Sequence, residues 1–270
     1  VLLYLAFFSL CGNVFAGKAQ DISRILNSKY QGHVLTLRQF YEGSTVSYDP
    51  NGGLLKHGDV GSWTVDGVVL IHSILLTPEG LRFDCRRVEV AFERGQAHLY
   101  EDGDLQIDIN RGGHLLTLDE LDQALTKIFL IPEGHLLDVV PTYWRPFFYS
   151  HKRLYTKLQA QLARAGEPAS KIEAKPANLA ALSQAEPQFA PETRQAGRAV
   201  TASFRIRVDA SGHVSEVTIL QPVGLGLDDK AVKVIRAWKF KPASSNGVPV
   251  STTVIVKVRY ELTGGPSTRN

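Results

Sequence analysis

Val200–Ala243 reads VTASFRIRVDASGHVSEVTILQPVGLGLDDKAVKVIRAWKFKPA, and Asn246–Leu262 continues as NGVPVSTTVIVKVRYEL. In the first stretch Val200, Ala202, Phe204, Ile206 and Val208 alternate with Thr201, Ser203, Arg205 and Arg207. A period of two marks a strand with one buried face. Asp209-Ala210-Ser211-Gly212 makes a tight turn into a second strand near 213–221, with Val217 and Ile219 facing inward. After Val223-Gly224-Leu225-Gly226, Asp228 reads as a helix N-cap, with Leu227 and Val232 spaced as a hydrophobic staple. Leu227, Ala231, Val234, Ile235 and Trp238 then fall on one helical face. The last stretch, 250–262, alternates from end to end. A ββαβ order, one helix on a small antiparallel sheet, accounts for every periodic segment.

Working back toward the N-terminus, 165–191 is rich in Ala, Glu, Gln and Pro and poor in aromatics, with Pro168, Pro176, Pro187 and Pro191 spaced through it. This is linker composition, and it predicts two separate folding units joined by a protease-sensitive segment. Before it, 150–164 carries Leu154, Leu158 and Leu162 among Lys152, Arg153, Lys157 and Arg164, a basic helix that either connects or touches a membrane surface. Tyr143, Trp144, Phe147, Phe148 and Tyr149 form an aromatic run, read as the plug of a core rather than a ligand platform.

From Gly32 to Asn110 the sequence is a series of β-like runs: HVLTLRQF, STVSY, GSWTVDGVVLIHSILL, LRFDCRRVEVAF and DLQIDIN. Asp49-Pro50-Asn51-Gly52-Gly53, Asp66-Gly67, Glu79-Gly80 and Asp102-Gly103 punctuate them as turns. A small antiparallel barrel or sandwich is expected. Thr117 and Glu120 have capping-box spacing ahead of Leu121, Leu125, Ile128 and Phe129, so one amphipathic helix packs on that sheet. The fold class is α+β. Its parts are a leader or short anchor (1–16), a β-rich domain (17–150), a basic helix and linker (151–185), a C-terminal domain (186–263) and a tail (264–270).

The leader VLLYLAFFSLCGNVFA is uncharged, with Val14 and Ala16 as the small residues a signal peptidase accepts, so the mature chain is expected to begin near Gly17. An uncleaved anchor is the alternative. Removing the leader also removes Cys11 and leaves Cys85 as the single thiol, which excludes an intramolecular disulfide. Charge is unevenly placed. Arg198–Asn270 holds 11 basic and 5 acidic residues, net +6, against net −3 for Val1–Gly197. The overall balance of 30 Lys and Arg to 27 Asp and Glu does not call for a nucleic-acid partner.

EPQFAPETRQAG at 186–197, DASGHVSEV, GLDDKAV, WKFKPA and GVPV occur in this order with the pattern above, and together they resemble the TonB C-terminal domain family. The resemblance covers roughly 186–263. It implies an energy-transduction protein of a Gram-negative envelope. Such proteins have an inner-membrane anchor coupled to an ExbB/ExbD-type complex, a periplasmic linker, and a C-terminal domain that grips the TonB box of outer-membrane transporters. Where the family's anchor carries Ser-x-x-x-His, here Ser9 is followed four residues later by Asn13. The resemblance therefore bears on the receptor-gripping half more than on the proton-coupled half.

In a three-stranded sheet two strands are edges, and an edge can accept an extended peptide. Thr253, Ile255, Lys257 and Arg259 of the last strand are the candidate partner-binding residues, and Lys257 and Arg259 suit a peptide with acidic groups. The same edge could instead pair with a second copy of the chain. The eight His residues show no metal-ligand spacing, no G-x-S-x-G elbow occurs, and Gly224-Leu225-Gly226 lacks the Lys of a phosphate loop. Asp102, Asp104 and Asp108 fit outward-facing hairpin positions better than a calcium loop. No enzyme, metal or cofactor is expected. The competing reading is a secreted ligand-binding or enzymatic domain at 17–150 that uses the C-terminal domain only for docking or self-association.

Overall fold

The computed structural model describes residues 21–113, 116–131, 134–162, 172–175 and 199–261. The leader 1–16, the tail 264–270 and most of the linker stretch 165–191 lie outside the described residues. No helix among the described residues is long and apolar enough to cross a membrane.

A helix over 21–30, α1, precedes β1 (Val34–Leu37), β2 (Thr45–Tyr48), β3 (Leu54–Lys56) and a single helical turn, α2 (Trp63–Asp66). Then come β4 (Val68–Leu76), β5 (Gly80–Glu93) and β6 (Gln96–Asn110). These strands, with β7 (Phe129–Leu130) and β8 (Glu173–Ala174), lie in one open sheet of order β3-β2-β6-β5-β4-β1-β7, with β8 alongside β6. The expected barrel or sandwich is thus a single mixed sheet, because β2 and β8 both join the same edge of β6 in parallel. Part of the stretch read as linker therefore belongs to the sheet.

Two sequence signals acted differently from their expectation. Asp66-Gly67 ends a helical turn rather than a hairpin: Ser62 Oγ accepts from Thr64 N–H, and Asp66 Oδ2 accepts from Ser62 N–H at 3.0 Å. Asp102-Gly103 is a bulge inside β6, since Arg86 faces Asp104 while Val88 faces Glu101. Across the bulge the odd-numbered residues of β6 change face, Leu105, Ile107 and Ile109 entering one cluster and Ala97 and Leu99 the other. On β5, Leu81, Phe83 and Cys85 enter one hydrophobic cluster, while Val88, Val90 and Phe92, of opposite parity, enter the other. Burial pushes the Cys85 thiol far above its usual range, so it stays protonated.

The first cluster sits between the sheet, α1 and α3 (Leu118–Ile128). Helix α3 begins in the expected capping box, Glu120 Oε2 accepting from Thr117 N–H at 2.8 Å. Next are α4 (Leu136–Val139), a 3-10 turn (Thr142–Trp144), α5 (Arg145–Ser150) and α6 (Lys152–Leu162). Trp144, Phe147 and Phe148 are buried, so the centre of the aromatic run is core while Tyr149 is exposed, and α6 adds Leu158 and Leu162 to that core.

The C-terminal region forms β9 (Ala199–Val208), β10 (Val214–Gln221), α7 (Leu227–Arg236) and β13 (Thr252–Glu261), with sheet order β10-β9-β13. The ββαβ expectation holds with one insertion. β11 (Ala243–Ser245) and β12 (Val248–Val250) make a small hairpin around Asn246-Gly247, both at positive φ, so the last strand starts at Thr252 rather than 250. Two cores form, but not one per half. Phe204, Ile206, Ile219, Leu227, Ile235 and Tyr260 share the second cluster with Trp63, Phe92, Trp144 and Phe148 of the N-terminal region.

Candidate partner-binding edge and its seat

β13 pairs with β9 on one side along ten residue pairs, Thr252↔Val208 through Glu261↔Ala199. Among the described residues it is an outer strand of the sheet. Val254, Val256, Val258 and Tyr260 lie opposite Ile206, Phe204, Ala202 and Val200 on the face toward the helix. Thr253, Ile255, Lys257 and Arg259 lie on the other face, opposite Arg207, Arg205, Ser203 and Thr201. All four candidate residues therefore stand in one row, beside two arginines of β9. Ile255 is 64% exposed, a large apolar side chain flanked by cationic neighbours. The other outer strand, β10, is packed against the 3-10 turn and α5 of the N-terminal region.

The seat of this domain rests on the loop before α7. β4 stops pairing with β5 at Val69↔Arg87, which leaves the end of β5 as an overhang. The loop occupies it: Phe92 N–H donates to Val223 O at 2.8 Å, Leu225 N–H donates to Val90 O at 3.0 Å, and Gly226 N–H reaches Thr64 Oγ1 at 2.9 Å. A Cβ on Gly224, whose φ is +83°, would stand 2.1 Å from Val90 O. Only glycine fits there. With the amides of 223–226 bonded inside the protein, the Gly224-Leu225-Gly226 loop is a strand-to-helix connection and not a phosphate cradle.

Gly226, not Asp228, is the N-cap of α7, since it holds the left-handed conformation before the first helical residue. Asp228 is fully buried inside the first turn and bonds backward, its Oδ2 accepting from Gly224 N–H at 2.6 Å and Val223 N–H at 3.1 Å. Burial pushes its carboxyl up to about 8; the Gly224 N–H opposes that rise, and the adjacent Asp229 charge adds to it. Asp229 turns outward to the N-terminal region. It accepts from Ser62 Oγ, from Tyr143 OH at 2.5 Å and from Trp144 Nε1 at 3.2 Å. Burial raises its carboxyl too, against the pull of those three donors, and burial next to Asp229 holds the Tyr143 phenol far above its usual range. Sequence reasoning missed Asp229 altogether, because its partners lie 85 or more residues away.

Residues 185–262 match the family model described as the Gram-negative bacterial TonB protein C-terminal. This stretch is a TonB C-terminal domain. Over 91 residues the chain is 33% identical to Protein TonB of Vibrio cholerae serotype O1, an alignment covering 33% of this chain and 36% of that protein. The chain thus spans about a third of the length of the curated relative it matches. No solved structure matches it. The TonB domain so identified coincides with the β9–β13 region, and its outer strand β13 falls within the matched residues.

Among the described residues, no three His, Cys, Asp or Glu side chains come together as metal ligands. Asp104 and Asp108 pair with Arg86 and Arg82 across the hairpin, and Asp102 lies 3.8 Å from Lys175.

Proposed function

We propose that the TonB domain binds an extended peptide of an outer-membrane TonB-dependent transporter by adding it as a fourth strand along β13. The observation that carries this reading is the asymmetry of the sheet's two outer strands. β10 is packed against the N-terminal region, whereas β13 has β9 as its one paired strand among the described residues. Added-strand binding supplies main-chain hydrogen bonds for affinity, and the row Thr253, Ile255, Lys257 and Arg259 supplies side-chain selectivity. The cations of that row and of Arg205 and Arg207 favour a peptide with acidic groups. In this reading the protein works in the periplasm, 186–263 is the binding domain and 17–150 its support. An ExbB/ExbD-type complex is the partner at the inner membrane.

The test uses proline. Successive N–H groups of a strand point to opposite edges, so one of Val254 and Ile255 directs its N–H away from β9. Val254→Pro and Ile255→Pro are each made and checked for folding by circular dichroism. The folded one, lacking an outward donor, is expected to bind transporter peptides at least about tenfold more weakly, the loss of about one ladder hydrogen bond. Lys257→Ala with Arg259→Ala should slow association and flatten its dependence on salt. Unchanged peptide affinity in a folded proline variant would sink strand addition. Concentration-dependent dimers that vanish in the same variant would identify a second copy as the occupant.

A further inference from the structure

Away from the TonB domain, the tip of the β5–β6 hairpin and the start of α6 enclose a cleft of about 580 Å³. Arg94, Lys152, Arg153 and Lys157 line it, and no carboxylate does. Among the described residues none of these four cations has an ion-pair partner; Lys157 makes a single long contact, 3.5 Å, to Gln96 Oε1.

Three further observations give this clustering a direction. The first turn of α6 contains no acidic residue, although the helix dipole places positive potential at that end. Lys152 and Arg153 there repel both the dipole and one another unless an anion sits among them. Arg94 takes a left-handed backbone, φ +48°, ahead of Gly95 at φ +74°, in the two-residue turn closed by Glu93↔Gln96. Asparagine or glycine would hold that turn without the roughly 1 kcal/mol that the conformation costs other residues. A long cationic side chain is thus kept at the mouth of the cleft against local preference. At its inner wall the Gln161 side-chain oxygen is buried with no hydrogen-bond partner. An amide can turn to present its N–H₂ group instead, a donor for an anion.

We propose that this cleft binds a phosphate group, held by Arg94, Lys152, Arg153 and Lys157, with Gln161 as a neutral donor. Four cations exceed what one carboxylate would neutralise and suit the higher charge and several acceptor oxygens of a phosphoryl group. The site lies outside the TonB domain and does not depend on the reading of β13.

The test uses the full chain with inorganic phosphate and with vesicles of phosphatidylglycerol or phosphatidylcholine. Millimolar phosphate is expected to raise the thermal midpoint of the wild type by mass action. Arg94→Asn should raise the ligand-free midpoint, because it relieves the turn, and weaken phosphate binding at least about tenfold. Lys152→Ala with Arg153→Ala should weaken it similarly, while Lys239→Ala, in the TonB domain, should leave it unchanged. Cosedimentation with phosphatidylglycerol but not phosphatidylcholine vesicles, lost in the same variants, would identify a lipid headgroup as the source. A phosphate response without vesicle binding would identify a soluble phosphorylated compound. Absence of both responses, or binding unaffected by the Arg94 and Lys152/Arg153 variants, overturns the proposal.

Discussion

Asp228→Ala is expected to cost about 2–4 kcal/mol of folding stability, read as a lowered urea midpoint with an unchanged slope. The buried carboxyl is the partner of the Val223 and Gly224 N–H groups, and an alanine leaves both donors inside the protein with nothing to bond. Asp228→Asn keeps an acceptor oxygen and should lose no more than about 1 kcal/mol. The pair of variants also separates the hydrogen bonds from the charge. The folded carboxyl titrates near 8 and the unfolded one near 3.8, so folding takes up a proton between those values. Its contribution to stability is complete below about pH 4 and is lost as pH rises through 8. Asp229 is shifted in the same direction and adds to the slope. The urea midpoint of the wild type should therefore fall between pH 5 and pH 9, and Asp228→Asn should flatten that fall. A wild-type protein that gains stability over the same interval would contradict the assignment.

Trp144→Ala is expected to be the most damaging single change, at about 3–5 kcal/mol. The indole is fully buried, meets Trp63 edge-on with ring centroids 5.1 Å apart, and stacks on Phe148 at 6.0 Å. Truncation opens a cavity between the N-terminal region and the TonB domain, because residues of both share this cluster. It also removes the Nε1–H that Asp229 accepts. Trp144→Phe, which retains most of the volume and loses the donor, should fall between wild type and alanine. Equilibrium unfolding by urea measures all three; a loss under about 1 kcal/mol for Trp144→Ala would show that the two regions do not depend on this contact.

The TonB domain was legible because its strands are half-buried. Phe204, Ile206 and Val208 against Arg205 and Arg207 leave one solution for the inward face, and the helix after Gly226 has an equally plain apolar side. Thr117 and Glu120 announced α3 because a capping box is local chemistry. The errors came where a local signal serves a distant partner. Trp63 and Val65 alternate like a strand, yet Ser62 and Asp66 close a helical turn that presents Thr64 to the loop before α7 and Ser62 to Asp229 in the helix's first turn. Asp102-Gly103 has the composition of a hairpin turn, but Arg94-Gly95 makes the turn and the Asp-Gly pair lies mid-strand as a bulge. Asn246-Gly247 is a local hairpin signal that the strong alternation following it obscures. The row Thr253, Ile255, Lys257 and Arg259 followed from strand parity alone. The seat of the domain could not: Asp229 to Tyr143 and Val223 to Phe92 are pairings that no periodicity encodes.

The overhang of β5 has a consequence for any shortened form of the protein. Residues 90–92 are closed on that side by the loop at 223–225 and, among the described residues, by no strand of their own sheet. Take away 199–261 and the exposed border carries unsatisfied main-chain groups, bordered by Val88, Val90 and Phe92. That is the make-up of a self-templating surface, since another molecule's border can satisfy it as well as the missing loop did. An N-terminal region produced alone should thus be sticky, tending to insoluble aggregates at concentrations where the full chain stays dispersed, and the TonB domain doubles as its chaperone in cis.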